Sequence, residues 1–323
     1  MKKYLIIRFS SIGDIVLTSP VIRCLKSTYP DAAIHFLTKK SYASIVNANP
    51  YVDKVYTIDK EIDEITTELK GEKYDFVIDL HHNLRTFRLK QKLSQPSATF
   101  PKLNVQKFLL TAFKWDKMPS LHVVDRYFKA VDKLGVKNDQ KGLDFFITEA
   151  DHVDISKHDI QTLFIAFSIG AQFATKRLTK EKMVELLSKI SAPVVLLGGP
   201  GDTANGDYVK THAKNVTNLC GELTLNQSAS IIQQAAKVIS HDTGLMHIAS
   251  AFQKEIISIW GNTVPALGMY PYLPQENAKF SIHEVKISCR PCSKIGYQAC
   301  PKKHFKCMEN QDLEAIAQAV NAD

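Results

Sequence analysis

Three short stretches place polar side chains where the chain turns from strand into helix. In "YLIIRFSSIGDIVLTSPVIRCLK" an interior-strand run, Leu5-Ile6-Ile7-Arg8-Phe9, breaks into Ser10 to Asp14, and apolar residues then recur at helical spacing from Ile15 to Leu25. Asp14 therefore occupies a tight turn after a strand. A carboxylate there either caps the next helix or points into the crevice at the carboxyl ends of the strands, where open α/β sheets take ligands. In "FSIGAQFATKRLTKEKMVELL", Gly170 allows close approach of a ligand, and Lys176 and Arg177 are the residue types that reach a phosphate. In "VISHDTGLMHIASAF" a strand ends near Asp242 and a helix begins at Thr243-Gly244. The free N–H groups of such a helix start suit a diphosphate, although Asp242 and Thr243 serve equally well as plain caps. His247, one turn on, fits a satisfied, partly buried histidine better than a ligand or base.

A fourth cluster is chemically distinct. Cys289, Cys292, Cys300 and Cys307 follow the spacing C-x2-C-x7-C-x6-C, with His304 nearby. Four thiolates suit tetrahedral zinc, and C-x2-C is the usual first half of such a site. The second pair is too widely spaced for a zinc ribbon, and Pro291 and Pro301 restrict the backbone. A metal-free loop is favoured over zinc, with a disulfide third in a reducing compartment. Cys24 and Cys220 lie in apolar contexts and read as inert buried thiols.

The elements that must position these residues alternate. "YLIIRF", "AAIHFLT", "KVYTID" and "DFVIDL" are short apolar runs separated by helical patterns such as "EIDEITTELKGEK". This is the order of a parallel sheet with helices on both faces. After "LDFFITE", the polar stretch "ADHVDISKHDIQT" reads as a boundary, and the alternation restarts with "LFIAFSIG", "PVVLLGG", "KVISHD" and "EIISIWG". The expected architecture is α/β: residues 1–155 and 156–323 as two Rossmann-like domains with parallel sheets facing across a cleft. A length of 323 residues and 45% hydrophobic content support two cores.

Lys and Arg number 41 against 33 Asp and Glu, a net charge of +8, which points to an anionic partner. Residues 83–117 are the most basic stretch and read as amphipathic helices with a solvated charged face. No apolar run approaches the roughly 18 residues needed to span a bilayer, and no secretory signal pattern is present, so a cytoplasmic protein is expected. Neither G-x-x-x-x-G-K-[ST] nor a strand followed by G-x-G-x-x-G occurs. Nucleic-acid binding is suggested by charge alone, without an aromatic-basic reading motif.

Taken together, "SSIGDIVLTSP", "GAQFATKRLTKE" and "DTGLMHIASAF" followed by "SIWGNT" resemble glycosyltransferase family 9, the ADP-heptose:lipopolysaccharide heptosyltransferases, with "CRPCSKIGYQACPKKHFKCM" as weaker support. The resemblance covers nearly the whole chain and implies a GT-B fold, with acceptor bound by the N-terminal half and nucleotide-sugar by the C-terminal half. The family's base falls on Asp14 and its phosphate-binding lysine on Lys176. Its donor-binding residues fall on Gly170, Ala171, Gln172, Arg177, Asp202, Asp242, Thr243 and Gly244, with His247 close by. Leu178 replaces a common aromatic, and Ala171 and Gln172 replace hydroxyl-bearing residues.

The implied activity is inverting, metal-independent transfer of a sugar, heptose from ADP-heptose, to a lipopolysaccharide core or related anionic lipid-linked or oligosaccharide acceptor. No cofactor is expected beyond the nucleotide-sugar substrate. Ser11, Gly13, His81, His82, Asn83 and Arg85, all just past strand ends, are the candidate acceptor contacts. Peripheral contact with the inner membrane surface is the expected setting. The rival from another class is a two-domain module that binds a nucleotide or phosphate without catalysis.

Overall fold

The computed structural model describes residues 1–158, 160–276 and 279–322. The chain groups into two compact units, Met1–Lys102 with Leu121–Phe146, and Leu103–Ser120 with Ile147–Asp323. In the first, β1 (Lys3–Ile7), β2 (Ala33–Lys39), β3 (Lys54–Ile58), β4 (Phe76–Asp79) and β5 (Ser97–Thr99) form a parallel sheet in the order β3-β2-β1-β4-β5. Leu5, Ile6 and Ile7 are each fully buried. Because successive strand residues point to opposite faces, the burial of all three means that both faces of the sheet are covered.

The apolar run after Asp14 is two helices rather than one, Ile12–Val16 and Ser19–Thr28. Pro20 is the cause: it lacks an N–H and is tolerated only in a first helical turn, where the second helix places it. Buried Arg23 on that helix pairs with Asp139 at 2.8 Å and with Asp144, which ties residues 121–146 back to the first unit.

The second unit holds β6 (Ile165–Ser168), β7 (Val194–Leu197), β8 (Val216–Asn218), β9 (Lys237–His241), β10 (Glu255–Trp260) and β11 (Phe280–Glu284). They form a parallel sheet in the order β11-β10-β9-β6-β7-β8. Ile165, Phe167, Leu196, Ile239 and Ile257 build its core with Leu313, Ile316 and Val320 of the last helix, Leu313–Asn321. Burying side chains of this size stabilises the fold by about 1.5–3 kcal/mol each.

The polar stretch read as a boundary packs onto this second unit. The Val153 N–H donates to Ser230 Oγ at 3.0 Å, and Asn226 Nδ2 donates to Asp151 Oδ2 at 3.1 Å. The compact units thus divide after Phe146 rather than after Ile155, and residues 103–120 group with the second unit although they lie within the first in sequence. Asp159, part of that stretch, lies outside the described residues. Among the described residues no helix is long and apolar enough to cross a membrane.

Candidate active site

Strand order fixes where each unit can hold a ligand. The first sheet reverses direction of connection between β1 and β4, and the second between β6 and β9. Crevices at such reversals, outside the carboxyl ends of the strands, are where open α/β sheets bind.

In the first unit Asp14 follows β1, at the third position of the helix Ile12–Val16, which Ser11 N-caps. One carboxylate oxygen does the work of a cap, accepting from Ser11 N–H at 3.3 Å and Ser11 Oγ at 2.7 Å. The other meets an Arg8 guanidinium nitrogen at 2.6 Å. The cap reading of Asp14 therefore holds, and its second oxygen carries an ion pair besides. Arg8 is anchored from beneath by the carbonyls of Ser10 (2.7 Å) and Leu80 (2.5 Å). Its side chain is 8% exposed whereas that of Asp14 is 24% exposed, so the arginine is sealed in while the carboxylate can still be reached. Burial works to lower the Arg8 pKa, but the Asp14 carboxylate and its neighbours prevail and hold it above the ordinary value. Gly13 is buried in the same turn and Ser11 is exposed.

Past β4 the turn is organised by buried Asp79, whose Oδ1 accepts from the His81 N–H at 3.0 Å and the His82 N–H at 2.8 Å, while Oδ2 pairs with Lys90 at 2.9 Å. Burial raises the Asp79 pKa, but the His82 N–H and Lys90 outweigh it and keep it below the usual carboxylate range. His81 stacks against Phe9 with ring centroids 5.0 Å apart. Burial, then the charges of Arg8 and Lys102, press its pKa down to about 3, so the ring is neutral at physiological pH. His82 Nδ1 meets the Phe100 carbonyl at 3.0 Å. Asn83 is committed to capping the helix Leu84–Leu93 through Thr86 N–H at 2.9 Å, and Arg85 donates to the Lys60 carbonyl at 2.9 Å. Tyr127, wholly buried, completes the floor; burial first, then Asp14, holds its phenol above its ordinary pKa.

In the second unit the loop after β6 meets the helix start after β9. Lys176 Nζ lies 2.6 Å from Asp242 Oδ2 and 3.2 Å from the Asp242 carbonyl, and Thr263 Oγ1 donates to the same carboxylate oxygen at 2.8 Å. Thr243 N-caps the eight-residue helix Gly244–Ala251, which contains buried His247. Lys176, Asp242, Thr243 and Gly244 are thus brought together at the reversal point. Arg177 instead pairs with Asp202 at 2.8 Å. Asp202 also explains Gly170: a Cβ there would lie 2.4 Å from Asp202 Oδ2, so the close approach is by the protein's own carboxylate. Half-buried Ala171 and exposed Gln172 follow, with the Gln172 carbonyl accepting from Gln298 at 3.2 Å.

His241, which ends β9 and was not singled out from sequence, holds this loop: its Nε2 accepts from the Leu178 N–H at 3.1 Å. Full burial, then Arg177, push its pKa down to about 3. As pH falls the unfolded chain, with an ordinary histidine pKa of about 6.5, takes the proton first. The contribution is complete above about pH 6.5 and declines toward pH 3, amounting to a loss of about 2 kcal/mol at pH 5. His241→Gln keeps an acceptor without the titration. Its unfolding free energy in urea should therefore differ between pH 7 and pH 5 by about 2 kcal/mol less than the wild type's, and identical pH dependence would refute this role.

A family model, Glycosyltransferase family 9 (heptosyltransferase), matches residues 62–299. The chain belongs to glycosyltransferase family 9. It is a glycosyltransferase with a GT-B fold. Lipopolysaccharide heptosyltransferase 3 of Escherichia coli K12 is 25% identical over 286 residues, covering 78% of this chain and 80% of that protein. Lipooligosaccharide heptosyltransferase 2 of Campylobacter jejuni is 23% identical over 321 residues, covering 96% and 95%. The family 9 glycosyltransferase structure from Veillonella parvula superposes with a TM-score of 0.82 at 22% identity, covering 99% of this chain and 96% of the other. That of E. coli ADP-heptose lipopolysaccharide heptosyltransferase II gives 0.69 at 18% identity over the whole of both chains.

In this family 9 chain the cysteine-rich segment buttresses the loops around Lys176. Arg290, between the first two cysteines and 8% exposed, donates to the carbonyls of Gly261 (2.5 Å) and Thr263 (2.8 Å). The Cys292 N–H donates to the Asn262 carbonyl at 3.2 Å, and Thr175 exchanges backbone and hydroxyl bonds with Tyr297. All six cysteines are free thiols. Cys289 Sγ lies 3.8 Å from His304 Nε2, and Cys292 Sγ lies 3.1 Å from the Cys289 carbonyl. Buried Cys307 belongs to the second core, and burial pushes its thiol up to about 11. Among the described residues no three His, Cys, Asp or Glu side chains are arranged to hold a metal ion.

Proposed function

We propose that this glycosyltransferase moves heptose from ADP-heptose to a lipopolysaccharide core or related anionic glycan, with inversion and without a metal ion. One observation carries the reading: each sheet presents its reactive charge at its point of reversal, an accessible carboxylate after β1 and a lysine beside a helix start after β9. Asp14 takes the proton of an acceptor hydroxyl as that oxygen forms a bond to the anomeric carbon. The bond from that carbon to the diphosphate oxygen breaks, and the electron pair leaves with ADP. Lys176 and the N–H groups at Thr243-Gly244 stabilise the growing charge on the diphosphate, and Asp242 holds the lysine in place beforehand. Ser11, Gly13, His81, His82 and Arg85 receive the acceptor, while the side chain of Asn83 serves the helix. The setting is the cytoplasmic face of the inner membrane, with peripheral contact.

The test is transfer from ADP-heptose to a heptose-deficient core acceptor, followed by mass spectrometry of the glycan and release of ADP. A product one heptose heavier supports the reading; tight ADP binding with neither transfer nor donor hydrolysis would make the chain a binding module. Activity should survive a chelator, since lysine and helix supply the positive charge. Abolition reversed by Mg²⁺ would contradict this. We also propose that the four terminal cysteines act as a metal-free buttress. Protein purified without chelator should give four titratable thiols after Cys24 and Cys220 are replaced, and near-stoichiometric zinc lost on Cys289→Ser would overturn that assignment.

A further inference from the structure

The basic stretch that reads as a solvated charged face exposes Arg88, Lys92, Lys114 and Lys117, and apolar side chains beside them. Val105 is 69% exposed, Phe108 59%, Phe113 54% and Trp115 61%. Single exposed apolar residues are ordinary, but these form one patch. The Phe108 and Phe113 rings lie 5.8 Å apart, and those of Phe113 and Trp115 5.5 Å apart.

The scaffold beneath them is ordered. The helix Asn104–Phe108 runs into a π-helical turn, Leu109–Phe113. Leu110, 5% exposed, points inward, the Trp115 N–H closes onto the Leu109 carbonyl at 3.2 Å, and Lys114 Nζ is tied to the Pro291 carbonyl at 2.7 Å. An aromatic patch is therefore held outward by a fixed backbone, with Lys107, Lys114 and Lys117 interspersed and Asp116 the one acidic residue between 103 and 120.

We propose that Leu103–Ser120 is a membrane-docking surface that lays Phe108, Phe113 and Trp115 into the interfacial layer of an anionic bilayer. Charge decides for lipid: lysines flanking exposed rings match anionic headgroups above an apolar layer, the arrangement of interfacial rather than spanning segments. Tryptophan favours that depth because its ring is apolar and its N–H is polar. A single short segment gives weak, reversible attachment, which suits an enzyme that must leave its product. The inference deepens the membrane contact of the reading above by naming its surface. It is measured without donor or acceptor, so its failure and that of the transfer reaction are separable.

The chain has two tryptophans, and Trp260 is fully buried, so emission changes on docking report Trp115. With vesicles of phosphatidylglycerol and phosphatidylethanolamine, the emission should shift to the blue and become shielded from iodide, and the protein should co-sediment. The variant F108S/F113S/W115S should lose co-sedimentation affinity by about tenfold or more. It should retain the wild-type circular dichroism and wild-type transfer to a water-soluble acceptor glycan free of acyl chains. Lys117→Gln should weaken binding about fivefold, in keeping with about 1 kcal/mol per basic residue near the surface. Three results would each overturn the proposal: equal binding to phosphatidylcholine vesicles, undiminished binding by the triple variant, or wild-type self-association that the triple variant abolishes, which would make the patch a contact between copies.

Discussion

Asp14→Asn is expected to slow transfer by a factor of about 100 to 10,000 while leaving donor affinity unchanged. The substitution is nearly isosteric, and an asparagine oxygen still accepts from the Ser11 N–H that Asp14 now caps. What it removes is the charge facing Arg8 at 2.6 Å and the group able to accept a proton. Arg8 keeps the Ser10 and Leu80 carbonyls, but its side chain is only 8% exposed and loses its carboxylate partner, so a stability cost of about 3 kcal/mol is expected. A cap and a base nevertheless predict different results. If Asp14 only holds the turn, the variant unfolds at lower urea and, where folded, turns over almost normally. If it is the base, kcat collapses with the KM for ADP-heptose unmoved, because the donor is bound by other residues. Steady-state kinetics alongside urea unfolding separate the two, and near-normal turnover would return Asp14 to being a cap.

The same residue shows where sequence reading succeeds and where it stops. The turn after β1 was legible because an apolar strand broken by Ser-Ser-Ile-Gly-Asp can only turn. Its partner was not, although a signal existed: Arg8 stands in an otherwise apolar run, and a buried guanidinium requires a counter-charge. Asp79 and His241 were missed for the opposite reason. Each ends an apolar run and looks like a strand terminus, and only the folded loops, through the His82 N–H and the Leu178 N–H, show what it binds. The eight strongly apolar strands were visible, whereas β5 (Ser-Ala-Thr), β8 (Val-Thr-Asn) and β11, whose burial alternates along an edge, carry no interior pattern. In residues 103–120 composition told only part. Counting lysines predicted a charged outer face, and Lys114 and Lys117 are exposed, but which other side chains face solvent depends on what packs beneath, and there Leu110 is inside while the rings are out.

Lys176→Ala should weaken ADP binding about 10- to 100-fold while adenosine binding changes less than about twofold, because the lost contact is a charge-assisted bond to phosphate. The geometry adds a complication that the test must meet. In the ligand-free chain Lys176 neutralises Asp242, whose side chain is 10% exposed. Removing the lysine leaves that carboxylate with the Thr263 hydroxyl and sets an uncompensated negative charge at the diphosphate site. Weaker ADP binding could then arise from repulsion by Asp242 rather than from loss of a lysine contact. The double variant K176A/D242N separates the causes, since it removes the repulsion without restoring a phosphate ligand. Direct binding by Lys176 predicts that the double variant stays as weak as K176A by isothermal titration calorimetry, and that Lys176→Arg, which keeps the charge, recovers most of the affinity. Full recovery in K176A/D242N would instead assign the lysine to shielding Asp242. The leaving-group role would then pass to the N–H groups at Thr243-Gly244 alone.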